Sequence, residues 1–518
     1  MKQITFIFLL LSSFFTKAQD EPLRISNLNG YIGENIIKVN YLTVKVQSIN
    51  PNKVEIPMGT IGVHYDFTIN KHFYAGMGMF AAVDGDQGGL FTLGAEIGFQ
   101  QHLLGNVYLD TDIHFGGGGG YRYLVKDGGF INYNMGLKYN TSKLSLGLQY
   151  SYFNFYNGYI KSSGISGFVS IPTKLIFTDY EKANKEFVLD KNNSDYFWNR
   201  SASKNGLSLR FDHFFPIGAT KNEFNAPIDN VLYLLGFEYD HYINRKTFSY
   251  IHMDAMYKGL ESGFMDMFLG IGYEPIQTKS LKVFAKIGAG ASGGRVEREG
   301  GLSIYPNIGL EKTIHKNISV TFHSGYMAAP FGNFEAYTLG YGIKYNTYDN
   351  GTFHTDFKDE VRIKTHGIRV SLQNQTYYKA ASKDNIDRDL QLLVLQINED
   401  FTEHLYITGQ AAFTYEGEAG GYADGMIGFG YYAPRIINRK IEFNLETLVG
   451  VCGGAGISTG SGIASKTKLG FNYFLSPKFN IHTSIGKMIA PKGRLNSTIL
   501  SFGFSFNLAK LRLQHKNS

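Results

Sequence analysis

Asp110 and Asp112 stand two residues apart, so a strand would carry both carboxylates on one face, an arrangement suited to shared acid–base chemistry. They open residues 110–120, DTDIHFGGGGG, a stretch that returns in altered form at 282–294, KVFAKIGAGASGG, and at 442–454, EFNLETLVGVCGG. Aligned on the closing glycines, the equivalents of the two aspartates are Phe284 with Lys286, and Asn444 with Glu446. A position that is acidic, then basic, then acidic suits charge pairing in an enclosed interior better than proton transfer between carboxylates. Within 288–293, GAGASG has the glycine spacing of a dinucleotide fingerprint, but it ends a strand pattern and no helix pattern follows. The histidines, among them His114, His252 and His323, lack a metal-ligand spacing such as HExxH, so each is read as structural. Cys452 is the only cysteine, which rules out an intrachain disulfide or a thiolate cluster. The residues therefore assign no catalytic side chain, cofactor or metal ligand, and the chain is expected not to be an enzyme.

The elements that must position these side chains are strands. Met265, Met267, Leu269, Ile271 and Tyr273 alternate with Asp266, Phe268, Gly270 and Gly272. Tyr337, Leu339, Tyr341, Ile343 and Tyr345 alternate with Thr338, Gly340, Gly342, Lys344 and Asn346. One face is apolar with aromatics toward its ends, and the other is glycine, charge and hydroxyl. A soluble sandwich rarely puts so much glycine on its polar face, whereas a membrane barrel has an apolar outer face over a polar lumen. Asp110, Asp112, Lys282, Lys286, Glu442 and Glu446 are accordingly expected to line a lumen, with Ile113, Ile287 and Thr447 facing outward. Phe268, Phe284, Arg210 and Asp212 share the inward parity, which suits a narrow, filled interior.

Landmarks recur along the chain. Gly136, Gly309 and Gly470 each sit in a strand pattern, and Gly158, Gly332 and Gly493 each follow the next one at nearly the same offset. This is repetition of a domain-sized unit rather than a solenoid period. Three eight-strand repeats are placed at 37–175, 205–347 and 366–508, with hydrophilic linkers at 176–204 and 348–365. Within a unit, compact polar turns alternate with longer loops, the asymmetry of an outer-membrane barrel. Long unit boundaries and the absence of a plug favour three tandem small barrels; a single 24-stranded barrel is the alternative.

Composition agrees with this class. The chain has 518 residues with 35 Tyr, 41 Phe and 61 Gly against 12 Pro, as many short aromatic strands with tight bends require. Its net charge of +6 is scattered rather than clustered, which argues against a nucleic-acid surface. At the N-terminus, Lys2 precedes an apolar run from Ile4 to Phe15, and Ala18 precedes Gln19. That is the pattern of a secretory signal peptide over 1–18, too short to span a membrane as a helix.

The export signal, the alternating strands and the final strand 499–508, where Phe502, Phe504 and Phe506 alternate with Ser501, Gly503 and Ser505, resemble bacterial outer-membrane β-barrel proteins. Gln19 after the cleavage site resembles the signal peptides of Bacteroidota. Residues 509–518 depart from the pattern as a basic tail beyond that strand. The resemblance implies residence in the outer membrane with lipid as the contacting partner, and a non-enzymatic structural, accessory or narrow-passage role. A wide channel gated by a partner is the alternative, and a barrel-surface lipid hydrolase a distant one.

Overall fold

The computed structural model describes residues 23–24, 30–48, 52, 54–120, 122–189, 202–260, 263–296, 300–349 and 361–513. The signal peptide expected at 1–18 and the tail residues 514–518 lie outside them, as do 190–201 and 350–360 of the two expected linkers. Almost everything described is antiparallel strand, and no described helix is long and apolar enough to cross a membrane.

Alternation in the sequence becomes two-sidedness in the sheet. In the strand Glu335–Asp349, Tyr337, Leu339, Tyr341 and Ile343 stand exposed, while Thr338, Lys344 and Asn346 are buried. A period of two forces this once one face is enclosed, and a slip of one residue would expose Lys344 and bury Tyr337 and Tyr341.

Strand pairing closes three separate rings. Gly30–Val44 pairs with Lys161–Thr178, from Gly30 opposite Thr178 to Tyr41 opposite Gly167, which closes the first. Ser203–Pro216 pairs with Glu335–Asp349 along its whole length and closes the second. Val361–Ala380 pairs with Asn496–Leu513, from Ile363 opposite Leu513 to Tyr378 opposite Thr498, and closes the third. Eight strands form each ring, and successive strands within it are hydrogen-bonded neighbours. A single ring of twenty-four strands would need each closing strand to pair onward into the next unit, and the ladders run back instead. Eight strands give an interior just wide enough for side chains to fill.

Connections are compact at one end of every ring, such as 105–106, 316–317 and 477–478, and mostly longer at the other. The longer loops fold over their own mouths. Val46 bridges Ile160 in the first ring, Asn222 bridges Val296 in the second, and Ser382 bridges Ile457 in the third. On the third mouth, hydrogen bonds from Arg388 and Ser382 hold the Asp384 carboxyl well below its usual range, which staples the loop to its strand.

At the turn end the rings are fastened together by strand, not by free linker. Tyr180–Lys182 forms a 3-10 turn, and Glu186–Leu189 pairs with Val361–Lys364 of the third ring. The last strand does not stop at Leu508. It continues to Leu513, so the described part of the basic tail is ladder: Ala509 lies opposite Thr178 of the first ring, and Asp349 of the second lies opposite Arg512. Lys510 reaches Asp349 at 2.8 Å and Arg512 reaches Glu399 at 2.7 Å. The physical reason is edge satisfaction. On the side facing Arg388–Asp400, where the ladder begins only at Ile368, Val361–Lys364 has open backbone groups, and Glu186–Leu189 pairs with them.

Because these bonds bypass 190–201, cutting at a protease site placed there is expected to leave the first ring folded, heat-modifiable on a gel, and still co-purifying with the others in mild detergent. A first ring that unfolds or departs on cutting would show that the connection itself holds it.

Candidate functional site

The feature from which function has to be argued is the set of three lumens. Outward side chains form an apolar belt: Ile113 is 42% exposed and Ile287 58%, Thr447 is also exposed, and Phe502 and Phe504 project from the closing strand. So large an exposed apolar surface marks contact with something other than water.

Inside, the six sequence-read residues occupy three different lumens. In the first, Asp112 accepts from Lys38 at 2.5 Å, and Asp110 accepts from Lys138 at 2.6 Å and from the Tyr74 hydroxyl at 2.8 Å. In the second, Lys286 donates to Glu238 at 2.6 Å and Lys282 to Glu311 at 2.7 Å, with Lys344 between Asp240 and Glu311. In the third, Glu446 pairs with Lys468 at 2.5 Å, and Glu442 meets the Arg369 guanidinium through both oxygens. All are buried except Lys282, which is half-buried near the turn end. The structure therefore brings each with an opposite charge from another strand and brings none of them across rings. Their partners Lys38, Lys138, Glu238, Glu311, Arg369 and Lys468 were not singled out in the sequence. The signal that could have found them is parity, since each sits on the polar face of its own strand.

Toward the loop end each lumen turns apolar. Phe80, Phe130, Phe153 and Phe155 pack together in the first, with the Phe130 and Phe153 rings stacked at 5.5 Å. Phe214, Leu232, Phe264, Tyr305 and Met327 fill the second, and Tyr377, Leu392, Tyr422, Leu448 and Met488 fill the third. Cys452 lies inside this last cluster, buried among hydrocarbon rather than poised as a nucleophile. Gly288 and Gly290 lie within the strand Leu281–Gly293, against Tyr250 and Phe268, so they serve packing in a wall and not a phosphate. His323 packs against Arg210 and Asp212, and His252 lies 3.0 Å from Asp254.

The rings also touch one another near their loop ends. Ala81, Val83, Phe91 and Leu93 of the first, Met267 and Ala291 of the second, and Phe413 of the third form one buried cluster of outward-facing side chains. The glycine-rich stretches allow this approach. A Cβ at Gly117 would stand 2.6 Å from the carbonyl oxygens of Phe413 and Thr414, and one at Gly293 would run into the Gly89 backbone. Backbone hydrogen bonds cross both seams, from Gly421 N–H to Gly118 O at 3.1 Å and from Gly300 N–H to Gly85 O at 2.9 Å.

No known protein family matches the chain, and no curated protein does. Solved structures that align with it include a de novo designed transmembrane β-barrel, 10% identical over 29% of this chain and 97% of that one, with a TM-score of 0.19. The siderophore receptor PirA from Acinetobacter baumannii is 8% identical over 93% of this chain and 81% of its own, with a TM-score of 0.26. OpdQ of Pseudomonas aeruginosa is 10% identical over 93% and 98%, with a TM-score of 0.20. Closed antiparallel rings, an apolar outer belt, a polar lumen and compact turns at one end give this chain the fold of an outer-membrane β-barrel.

Proposed function

We propose that this chain is a non-conducting, non-enzymatic scaffold of the outer membrane: three sealed barrels held side by side, with lipid around their shared perimeter. The observation that carries this reading is the occlusion of every lumen. Each has an apolar layer behind its loops and a packed layer of buried polar and charged side chains beneath. An ion crossing such a path would lose its hydration at the aromatic layer without replacement, which opposes passage.

Short turns face the periplasm in barrels of this kind. That orientation puts the strand hub of 178–189, 349, 361–365 and 508–513 on the periplasmic side, where it would hold three membrane units at fixed spacing. Single-channel recording on the purified, folded protein in planar bilayers tests the proposal. No stepwise conductance above the bare bilayer is expected. Stable steps of porin size, abolished by heat unfolding, would overturn it.

A further inference from the structure

One cluster in the first lumen does not seal the mouth, and its one contact with a lysine is the longer of the two that Lys38 makes, 3.7 Å to Glu96 against 2.5 Å to Asp112. His64 lies on the strand Met58–Thr68, Glu96 on Phe91–Leu104 and His114 on Val107–Gly119, and all three side chains are fully buried. Glu96 and His114 face each other directly across one ladder. His64 is two strands away from Glu96, yet the strand between them carries Gly78 opposite His64 and Gly76 opposite Glu96. With no side chain in the way, His64 Nδ1 comes within 2.5 Å of Glu96 Oε2. A Cβ at Gly78 would run into the His64 ring, and one at Gly94 into His114 Nε2, so the glycines make the space that the imidazoles occupy. The two imidazole rings lie 4.9 Å apart, and one donor atom from each of the three residues falls within 4.8 Å of the others.

Two further observations point to a cation-binding site. His64 Nε2 and the ring nitrogens of His114 have no side-chain hydrogen-bond partner, and both oxygens of the buried Asp66 carboxylate are unpaired. Such groups are costly to bury unless something binds them. The lumen's charge is also out of balance. Among the described residues, the buried carboxylates Asp66, Glu96, Asp110 and Asp112 face only Lys38 and Lys138, which leaves two carboxylates without a cation. In the second ring Asp212, His252 and Asp254 come equally close, but there the Arg210 guanidinium lies against Asp212 at 3.1 Å, within the donor set itself.

We propose that His64, Glu96 and His114 bind a divalent transition-metal ion inside the first ring. Two imidazoles and one carboxylate are the donor set of zinc, and they leave a fourth position for water or for Asp66. Lys38, 3.7 Å from Glu96, orients that carboxylate from behind. Since the lumen is closed above by Phe80, Phe130 and Phe153, the ion enters before the ring closes and stays while it remains folded.

The test refolds the full-length protein in detergent with zinc ions, removes free metal with a chelator on a sizing column, and counts metal by mass spectrometry. About one ion per chain is expected, held against chelator until heat unfolds the barrel. H64Q and H114Q, checked for heat-modifiable mobility, are expected to retain at least about tenfold less, while H252Q retains the wild-type amount. Folded wild type without stoichiometric zinc, zinc stripped from the folded barrel by chelator, or zinc undiminished in H64Q and H114Q would each overturn the proposal. If the variants do not fold, refolding wild type with cobalt(II) decides. Visible absorption from four-coordinate cobalt supports the site, and its absence overturns it.

Discussion

Replacing Arg369 by alanine is expected to destabilise the third ring by about 3–5 kcal/mol, the cost of leaving a buried charge without its partner. Arg369 is enclosed in the lumen, where its guanidinium meets both oxygens of Glu442 and lies 3.7 Å from the centre of the Tyr432 ring. Its Nε donates to the Tyr180 hydroxyl at 2.9 Å, and that hydroxyl donates to Asp400 at 2.6 Å. One side chain therefore holds a lumen carboxylate, a stacked aromatic and the first connecting segment. With arginine gone, Glu442 keeps one cation, the half-buried Arg435 at 3.2 Å, and the Asn472 amide, which donates to it at 3.2 Å. The measurement is the urea midpoint of the refolded protein in lipid vesicles, followed by loss of the heat-modifiable band. Arg369→Lys is expected to recover part of the loss, because a single ammonium cannot reproduce the fork or the stacking. The double replacement Arg369→Met with Glu442→Leu is expected to recover most of it, since a well-packed apolar pair is often as stable as a buried ion pair. An Arg369→Ala midpoint equal to wild type would mean that the pair is not buried as described.

Gly117→Leu is expected to separate the first and third rings while leaving both folded. The new Cβ would sit 2.6 Å from two main-chain carbonyl oxygens, and backbone cannot move aside as a flexible side chain does. Overpacking of this kind costs about 1–3 kcal/mol, occasionally more. Here it falls on a seam whose other contacts include Gly420 N–H to Lys126 O at 2.7 Å and Glu418 N–H to Asp127 at 2.8 Å. The control is Gly409→Leu, where a Cβ meets nothing within 4 Å on the outer face of the strand Leu405–Glu416. With 190–201 and 350–360 both cut, detergent titration on a sizing column should release rings from Gly117→Leu at lower detergent than from wild type or Gly409→Leu. Equal release would place the strength of the assembly in the hub instead.

Much of this protein was legible in its sequence, for a local reason. Strand alternation is a period of two, and the choice of inner face follows from which set carries the charge, so the parity of Asp110, Lys286 and Glu446 could be read without coordinates. The eight strands of the second unit were legible in the same way, because their turns are short and polar. What alternation cannot specify is which distant strand completes a ring. That choice rests on ladders between residues as far apart as Ile363 and Leu513, and only folding in three dimensions brings those backbones together.

The lumen partners were hidden for the same reason. Lys38 and Asp112 are separated by 74 residues, and no spacing rule connects them. Nor does any sequence spacing bring His64 to Glu96, because the meeting depends on Gly76 and Gly78 standing bare on the strand between. The glycines ending 110–120 read as the close of a repeated stretch, and the structure uses Gly117 for the approach of a neighbouring ring. Residues 509–513 read as the start of a basic tail, yet they pair with two other rings, because the strand edges that need them come from Thr178 and Asp349, far away in the chain. The sequence by itself determined strands, their faces and a membrane-compatible exterior, all properties of near neighbours. The tertiary structure alone decided closure, charge partners and the joining of the rings, because each requires backbone or charge from remote segments to be satisfied at one place.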